Sequence, residues 1–130
     1  GFDFFADSKG KLGWISPAVT NQSESIIFEI PVAPLDSRNS TKKYRIWVGY
    51  LRSYATVGKF RAIVTTGPVS FSVLVDSRWE RRQSTAEEIE VGTSMGPANV
   101  TIATLPSAKG TDNKVKILWV RAVEEMNSSA

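Results

Sequence analysis

The apolar positions of this chain recur with a period of two, in short runs separated by Gly, Pro, Ser, Asn and Asp. Lys43–Leu51 (KYRIWVGYL) sets Tyr44, Ile46, Val48 and Tyr50 against Arg45, Trp47, Gly49 and Leu51. Side chains alternate across a strand, so both faces of this one are largely apolar. That predicts a central strand covered on both sides, or one facing a groove. Val69–Val75 (VSFSVLV) points Val69, Phe71, Val73 and Val75 one way, and Lys59–Thr65 (KFRAIVT) does the same with Phe60, Ala62 and Val64. Ser25–Val32 (SIIFEIPV) reads as a strand ended by Pro31, because proline has no amide hydrogen for the ladder. Asn99–Leu105 (NVTIATL) sets Val100, Ile102 and Thr104 against Thr101, Ala103 and Leu105. Lys114–Val123 (KVKILWVRAV) closes the series, with Val115, Ile117, Trp119 and Arg121 on one face and Lys116, Leu118 and Val120 on the other. Glu88–Val91 (EIEV) fits a short strand or the end of a helical turn.

Between these runs lie a polar loop, Pro34–Thr41, a turn at Gly67–Pro68 and a polar turn at Ala108–Asn113. The stretch Gly49–Val64 (GYLRSYATVGKFRAIV) reads as a hairpin, with one strand ending at Leu51, a turn over Ala55–Gly58 and a return strand. Gly58 would supply a positive φ there. Phe2–Trp14, alternately aromatic and polar, is expected to form a flap or edge strand within residues 1–14, and residues 127–130 a flexible tail. Seven to eight short strands with frequent turn signals predict an all-β fold: a two-sheet antiparallel β-sandwich of jelly-roll type. At 130 residues the chain is expected to be one domain, 1–130, large enough to fold without staples.

Composition narrows the chemistry. There is no Cys and no His, which excludes Cys/His metal sites and any catalytic triad or dyad built on those residues. Glu87-Glu88 and Glu124-Glu125 are adjacent pairs, which in strands face opposite ways and make no glycosidase dyad. No enzyme activity, metal or cofactor is therefore expected. A net charge of +3 is too mild for a nucleic-acid partner, and no apolar run approaches the roughly 18 residues of a membrane span. The chain starts at Gly1 rather than Met, as a processed or excised piece would. Four of its five asparagines, Asn21, Asn39, Asn99 and Asn127, head Asn-X-Ser/Thr sequons. Small polar residues cluster in loops anyway, but the excess points to N-glycosylation and an extracellular or secretory-lumen location.

Several landmarks recur together: Gly13-Trp14, SIIFEI, VGYLRSY with the following Gly58, KFRAIV, VLVDSRW, VTIATLP and the final KVKILWVRAVEE. This order resembles the C-terminal β-sandwich domain of plant and algal SGNH/GDSL-hydrolase-like proteins and, more loosely, galactose-binding-like jelly rolls. The resemblance covers about residues 10–125 and implies an accessory domain. The hydrolase chemistry belongs elsewhere, since no Gly-Asp-Ser nucleophile motif occurs and no His could activate a serine.

Aromatic residues on a sandwich rim can stack on the apolar C–H faces of sugars while Arg, Asp or Asn bond the hydroxyls. Trp14 and Trp79 flank turns and are the candidate platforms, or else lids over the sandwich end; Trp47 and Trp119 lie mid-strand and are assigned to the core. Arg52 and Tyr54 continue the face of Tyr50 and would form a polar lip beside the platforms. Alternatively, Arg52 pairs with a carboxylate such as Asp76 and pins the turn. Arg78, Arg81 and Arg82 cluster near Trp79, but Glu80, Glu87, Glu88 and Glu90 dilute them into a mixed, solvated surface. The leading expectation is a non-catalytic carbohydrate-binding or accessory module for a glycan or cell-wall polysaccharide, with Trp14, Arg52, Tyr54 and Trp79 as contacts. The alternative is an assembly module whose apolar second faces, on RIWVGYL and KVKILWV, pack against other protein chains.

Overall fold

The computed structural model describes residues 3–6, 12–16, 25–30, 43–54, 57–105 and 114–125. Its strands are β1 (Asp3–Ala6), β2 (Leu12–Ser16), β3 (Ser25–Ile30), β4 (Tyr44–Arg52), β5 (Lys59–Thr66), β6 (Val69–Asp76), β7 (Thr85–Ser94), β8 (Ala98–Thr104) and β9 (Val115–Glu124). They form a five-stranded sheet A in the order β1-β2-β9-β4-β7 and a four-stranded sheet B in the order β3-β8-β5-β6. Neighbouring strands pair antiparallel throughout. The chain is thus the β-sandwich its periodicity predicts, with more strands than the seven to eight expected. The N-terminal segment contributes a strand pair, with Asp3–Ala6 at the edge of sheet A, and Glu88–Val91 is the middle of a ten-residue strand.

The core lies between the sheets. Sheet A supplies Ile46, Val48, Tyr50, Val91, Val115 and Ile117; sheet B supplies Ile30, Phe60, Ala62, Val64, Val75, Val100 and Ile102. Phe60 meets Tyr50 edge to face across the gap, centroids 5.5 Å apart. Such a pair is worth about 0.5–1.5 kcal/mol beyond the area it buries. The β5–β6 hairpin closes through Gly67-Pro68, where Gly67 takes φ 55° and Pro68 is held at negative φ by its ring. That sign pattern suits a II′ turn, whose twist matches the flanking strands.

The chain departs from the expected pattern over Gly49–Val64 and again in its last strand. Gly49–Val64 is not a hairpin, because β4 belongs to sheet A and β5 to sheet B, so the chain crosses the sandwich between them. Gly58 has no positive φ; among the described glycines only Gly67 does. Gly58 instead donates its N–H to the Lys114 carbonyl at 2.9 Å and accepts from the Ser77 N–H at 3.1 Å, tying the crossing to both sheets.

The last strand carries a bulge. Gly49 faces Trp119, but Tyr50 faces Ile117, so Leu118 is an extra residue in β9. Such a bulge shifts the alternation by one. Val115 and Ile117 point inward and so do Val120 and Ala122, while Trp119 and Arg121 turn outward instead of sharing the face of Val115 and Ile117. Trp47, the partner of Arg121, lies on the same outer face, so neither tryptophan belongs to the core. A second irregularity, between Ile46 and Trp47, leaves Val91 as the extra residue of β7.

Asn99 is exposed on β8, in register with Glu29 on one side and Thr65 on the other. Asn21, Asn39 and Asn127, and the expected tail at 127–130, lie outside the described residues.

Candidate functional site

β6 does not stop dead at Asp76. The next residues run parallel to the end of β4, where Ser53 bridges Arg78. The Ser53 N–H donates to the Ser77 carbonyl at 2.9 Å, and the Trp79 N–H donates to the Ser53 carbonyl at 3.0 Å. The Ser53 and Ser84 hydroxyls hydrogen-bond at 2.7 Å. Two segments from different sheets are thereby laced together at one end of the sandwich. The lacing explains why Trp79 meets Arg52 and Tyr54, more than twenty residues before it in sequence, there.

The indole of Trp79 is fixed from three directions. Its Nε1–H donates to the Gln83 carbonyl at 2.8 Å. The guanidinium carbons of Arg52 and Arg81 lie 5.1 and 5.4 Å from the ring centroid, within cation–π range. Arg52 thus serves the indole rather than the Asp76 carboxylate, and its Nε is buried without a hydrogen-bond partner among the described residues. Asp76 Oδ1 accepts instead from the Arg78 backbone N–H at 3.0 Å, turning the chain sharply after β6. Beside the indole opens a cavity of about 510 Å³, lined by Tyr54, Asp76, Arg78, Trp79, Glu80 and Arg82. Tyr54 is 45% exposed and presents the more open ring. Tyr50, one turn of the pleat inward, has its phenol pKa raised by burial, with Arg52 opposing and Glu87 and Asp76 adding to the rise.

Three of the four expected contacts therefore share one place. The fourth, Trp14, sits in β2 across the register from Ile117, with β9 between its strand and that of Arg52.

A second constellation, on the outer face of sheet A, escapes the sequence reading. A side chain grown on Gly49 would overlap Cε2 and Cδ2 of Trp119. Those are the fused atoms at the middle of the indole, reachable only through the ring face, so Trp119 lies flat on the Gly49 backbone. Its Nε1–H donates to Glu88 Oε2, on the neighbouring strand β7. Arg121 grips the same carboxylate in a two-pronged pair, Nε to Oε2 at 2.6 Å and Nη2 to Oε1 at 2.5 Å, and stands 5.9 Å from the centroid of Trp47. The signal available in sequence was Gly49 itself. A glycine within a strand weakens it and marks close approach of another group.

The Arg121 guanidinium, first, and then the Trp119 N–H hold the Glu88 carboxyl below the usual carboxylate range, against the opposing effect of desolvation. A depressed folded-state pKa stabilises the fold above the unfolded-state pKa, and that contribution fades as pH falls through the folded value. The stability difference between the wild type and Glu88→Gln should therefore be present at neutral pH and close on acidification below about pH 4. Urea melts of both proteins across that range measure it. The gap should be small, because the pair is surface-screened.

No family model and no curated protein matches this chain. Among solved structures, TmCBM61 in complex with β-1,4-galactotriose superposes with a TM-score of 0.54, covering 90% of this chain and 73% of its own, at 16% sequence identity. At that identity the likeness is one of fold, a β-sandwich shared with a carbohydrate-binding module.

Proposed function

We propose that this chain is a non-catalytic carbohydrate-binding module of an extracellular or secretory-lumen glycoprotein, with the rim cavity as its site. The observation that carries the reading is the meeting of Tyr54 and Trp79 on one cavity of about 510 Å³, with Arg52 behind it against the Trp79 ring. That volume accommodates one or two sugar rings. Tyr54 and the cavity-facing part of Trp79 would meet the C–H faces of a sugar, and Asp76 and Arg82 its hydroxyls. Arg52 acts through Trp79 by holding the indole in place. The fold shared with TmCBM61, itself bound to a galactotriose, supports the reading, as does the resemblance to hydrolase-attached accessory domains. The sequons, of which Asn99 is exposed, support the location.

The assembly alternative rests on the outer face of sheet A being apolar. Ion pairs cross that face: Arg45 to Glu90 and Glu125, and Arg121 to Glu88. It is a charged surface between tryptophans rather than a hydrophobic interface.

Titration calorimetry with galacto-oligosaccharides, extended by a glycan array, tests the site. Trp79→Ala and Tyr54→Ala should each weaken binding at least about tenfold, equivalent to about 1.4 kcal/mol. Binding by both variants at wild-type strength, or none by the wild type to any glycan, would overturn the reading.

A further inference from the structure

We infer that the outer face of sheet A is a second carbohydrate-binding surface, a flat platform centred on Trp119 that takes a neutral oligosaccharide. The proposal borrows only the ligand class from the reading above; its site is separate, on β4, β7 and β9.

The platform is preorganised. Trp119 lies on a bare backbone at Gly49, is tethered at its indole nitrogen by Glu88, and remains 38% exposed. One ring face is against the sheet, so the exposed surface is the opposite face, parallel to the strands. A large aromatic ring held flat and open costs little entropy when a second flat object lands on it. Leu118, the bulge residue, is what turns Trp119 to this side, and bulges recur where a strand must re-aim a side chain.

A polar fringe borders the ring. Glu88 has three of its roughly four acceptor positions filled, by Trp119 Nε1 and by Arg121 Nε and Nη2. Arg121 spends two of its five N–H donors on that carboxylate and keeps its other donors at the ring's edge, on a side chain 53% exposed. Donors and an acceptor lying beside an apolar ring match a pyranose, whose C–H face is apolar and whose rim is hydroxyl.

Among the described residues around Trp119, Lys43, Arg45 and Arg121 are matched by Glu88, Glu90 and Glu125 through four ion pairs, and Lys116, on the same side of β9, is buried. Charges paired in this way around the ring give little local field to attract a uronic or sulfated chain or a phosphate. An apolar protein partner would have to strip water from those six charges, which is costly. A neutral oligosaccharide leaves them solvated at the margins and uses the ring.

The test is a ¹H–¹⁵N titration of the full chain with β-1,4-galacto-oligosaccharide and cello-oligosaccharide, with oligogalacturonate as the charged control. The indole N–H resonance of Trp119 is assigned by its loss in Trp119→Phe. Expected is a saturable shift of the Trp119 indole and the Gly49 and Glu88 amides with a neutral probe. The shift should persist in Trp79→Ala; read at the Gly49 and Glu88 amides, it should weaken severalfold in Trp119→Phe, which keeps a ring but loses the Glu88 tether, and vanish in Trp119→Ala. Loss of all shifts in Trp79→Ala, with the Gly49 and Glu88 amide shifts kept in Trp119→Ala, would overturn the second site while leaving the rim site standing. A response to oligogalacturonate alone, or to no probe, would also overturn it. So would Trp119→Ala abolishing self-association in sedimentation while leaving sugar binding intact, since the face would then be a protein interface.

Discussion

Phe60→Ala should lower the unfolding free energy by about 3–5 kcal/mol. Phe60 is fully buried on a central strand of sheet B, and its ring is the one that reaches Tyr50 in sheet A. Removing it deletes apolar area on both sides of the sandwich and leaves a cavity that strands on either side cannot easily collapse to fill. A domain of this size holds a net stability of about 5–15 kcal/mol, so the variant should be near the edge of folding at ordinary temperature. Urea melts would show the midpoint falling with an unchanged slope. A cost under about 1.5 kcal/mol would mean that Phe60 does not bridge the sheets as described.

Gly49→Ala should destabilise the protein by about 1–3 kcal/mol, the usual cost of forcing extra atoms into a packed contact. On strand propensity alone the same change would stabilise by about 0.5–1 kcal/mol, because glycine is the poorer strand residue. The two effects separate in a double-mutant cycle. Once Trp119 is alanine the three atoms nearest to a side chain at residue 49 are gone, and Gly49→Ala should become neutral or favourable. A sign that does not reverse would show that the indole is not seated on the glycine. Trp119 is anchored by Glu88, so swinging it aside also breaks that hydrogen bond, and the cost cannot be relieved for free.

The strand runs were legible because each core face alternates: Phe60, Ala62 and Val64, or Val100 and Ile102, are buried as their spacing requires. β7 was harder to see. Its sequence, TAEEIEVGTS, puts a glutamate on each side of Ile89, and only its place beside β4 makes it a full strand. The partnership of Arg52, Tyr54 and Trp79 could be proposed from residue type, but not the parallel lacing that joins them, which is a tertiary event between sheets. Trp119 misled for a specific reason. Alternation is a local rule, and a bulge breaks it by pairing one residue of β4 against two of β9; nothing in KVKILWV announces which residue is extra. The matching glycine sits some seventy residues away, and its meaning emerges only when the two strands are side by side.

The bridge between Ser53 and Arg78 also bears on the order in which competence is acquired during folding. The β5–β6 hairpin closes a two-residue turn and can form early and alone, whereas the bridge joins the exit of one sheet to the exit of the other and has no meaning until both exist. A chain with either sheet unformed has its indole and its tyrosine, but no cavity between them. Whatever occupies that cavity would therefore recognise only finished molecules, and by mass action would hold them finished.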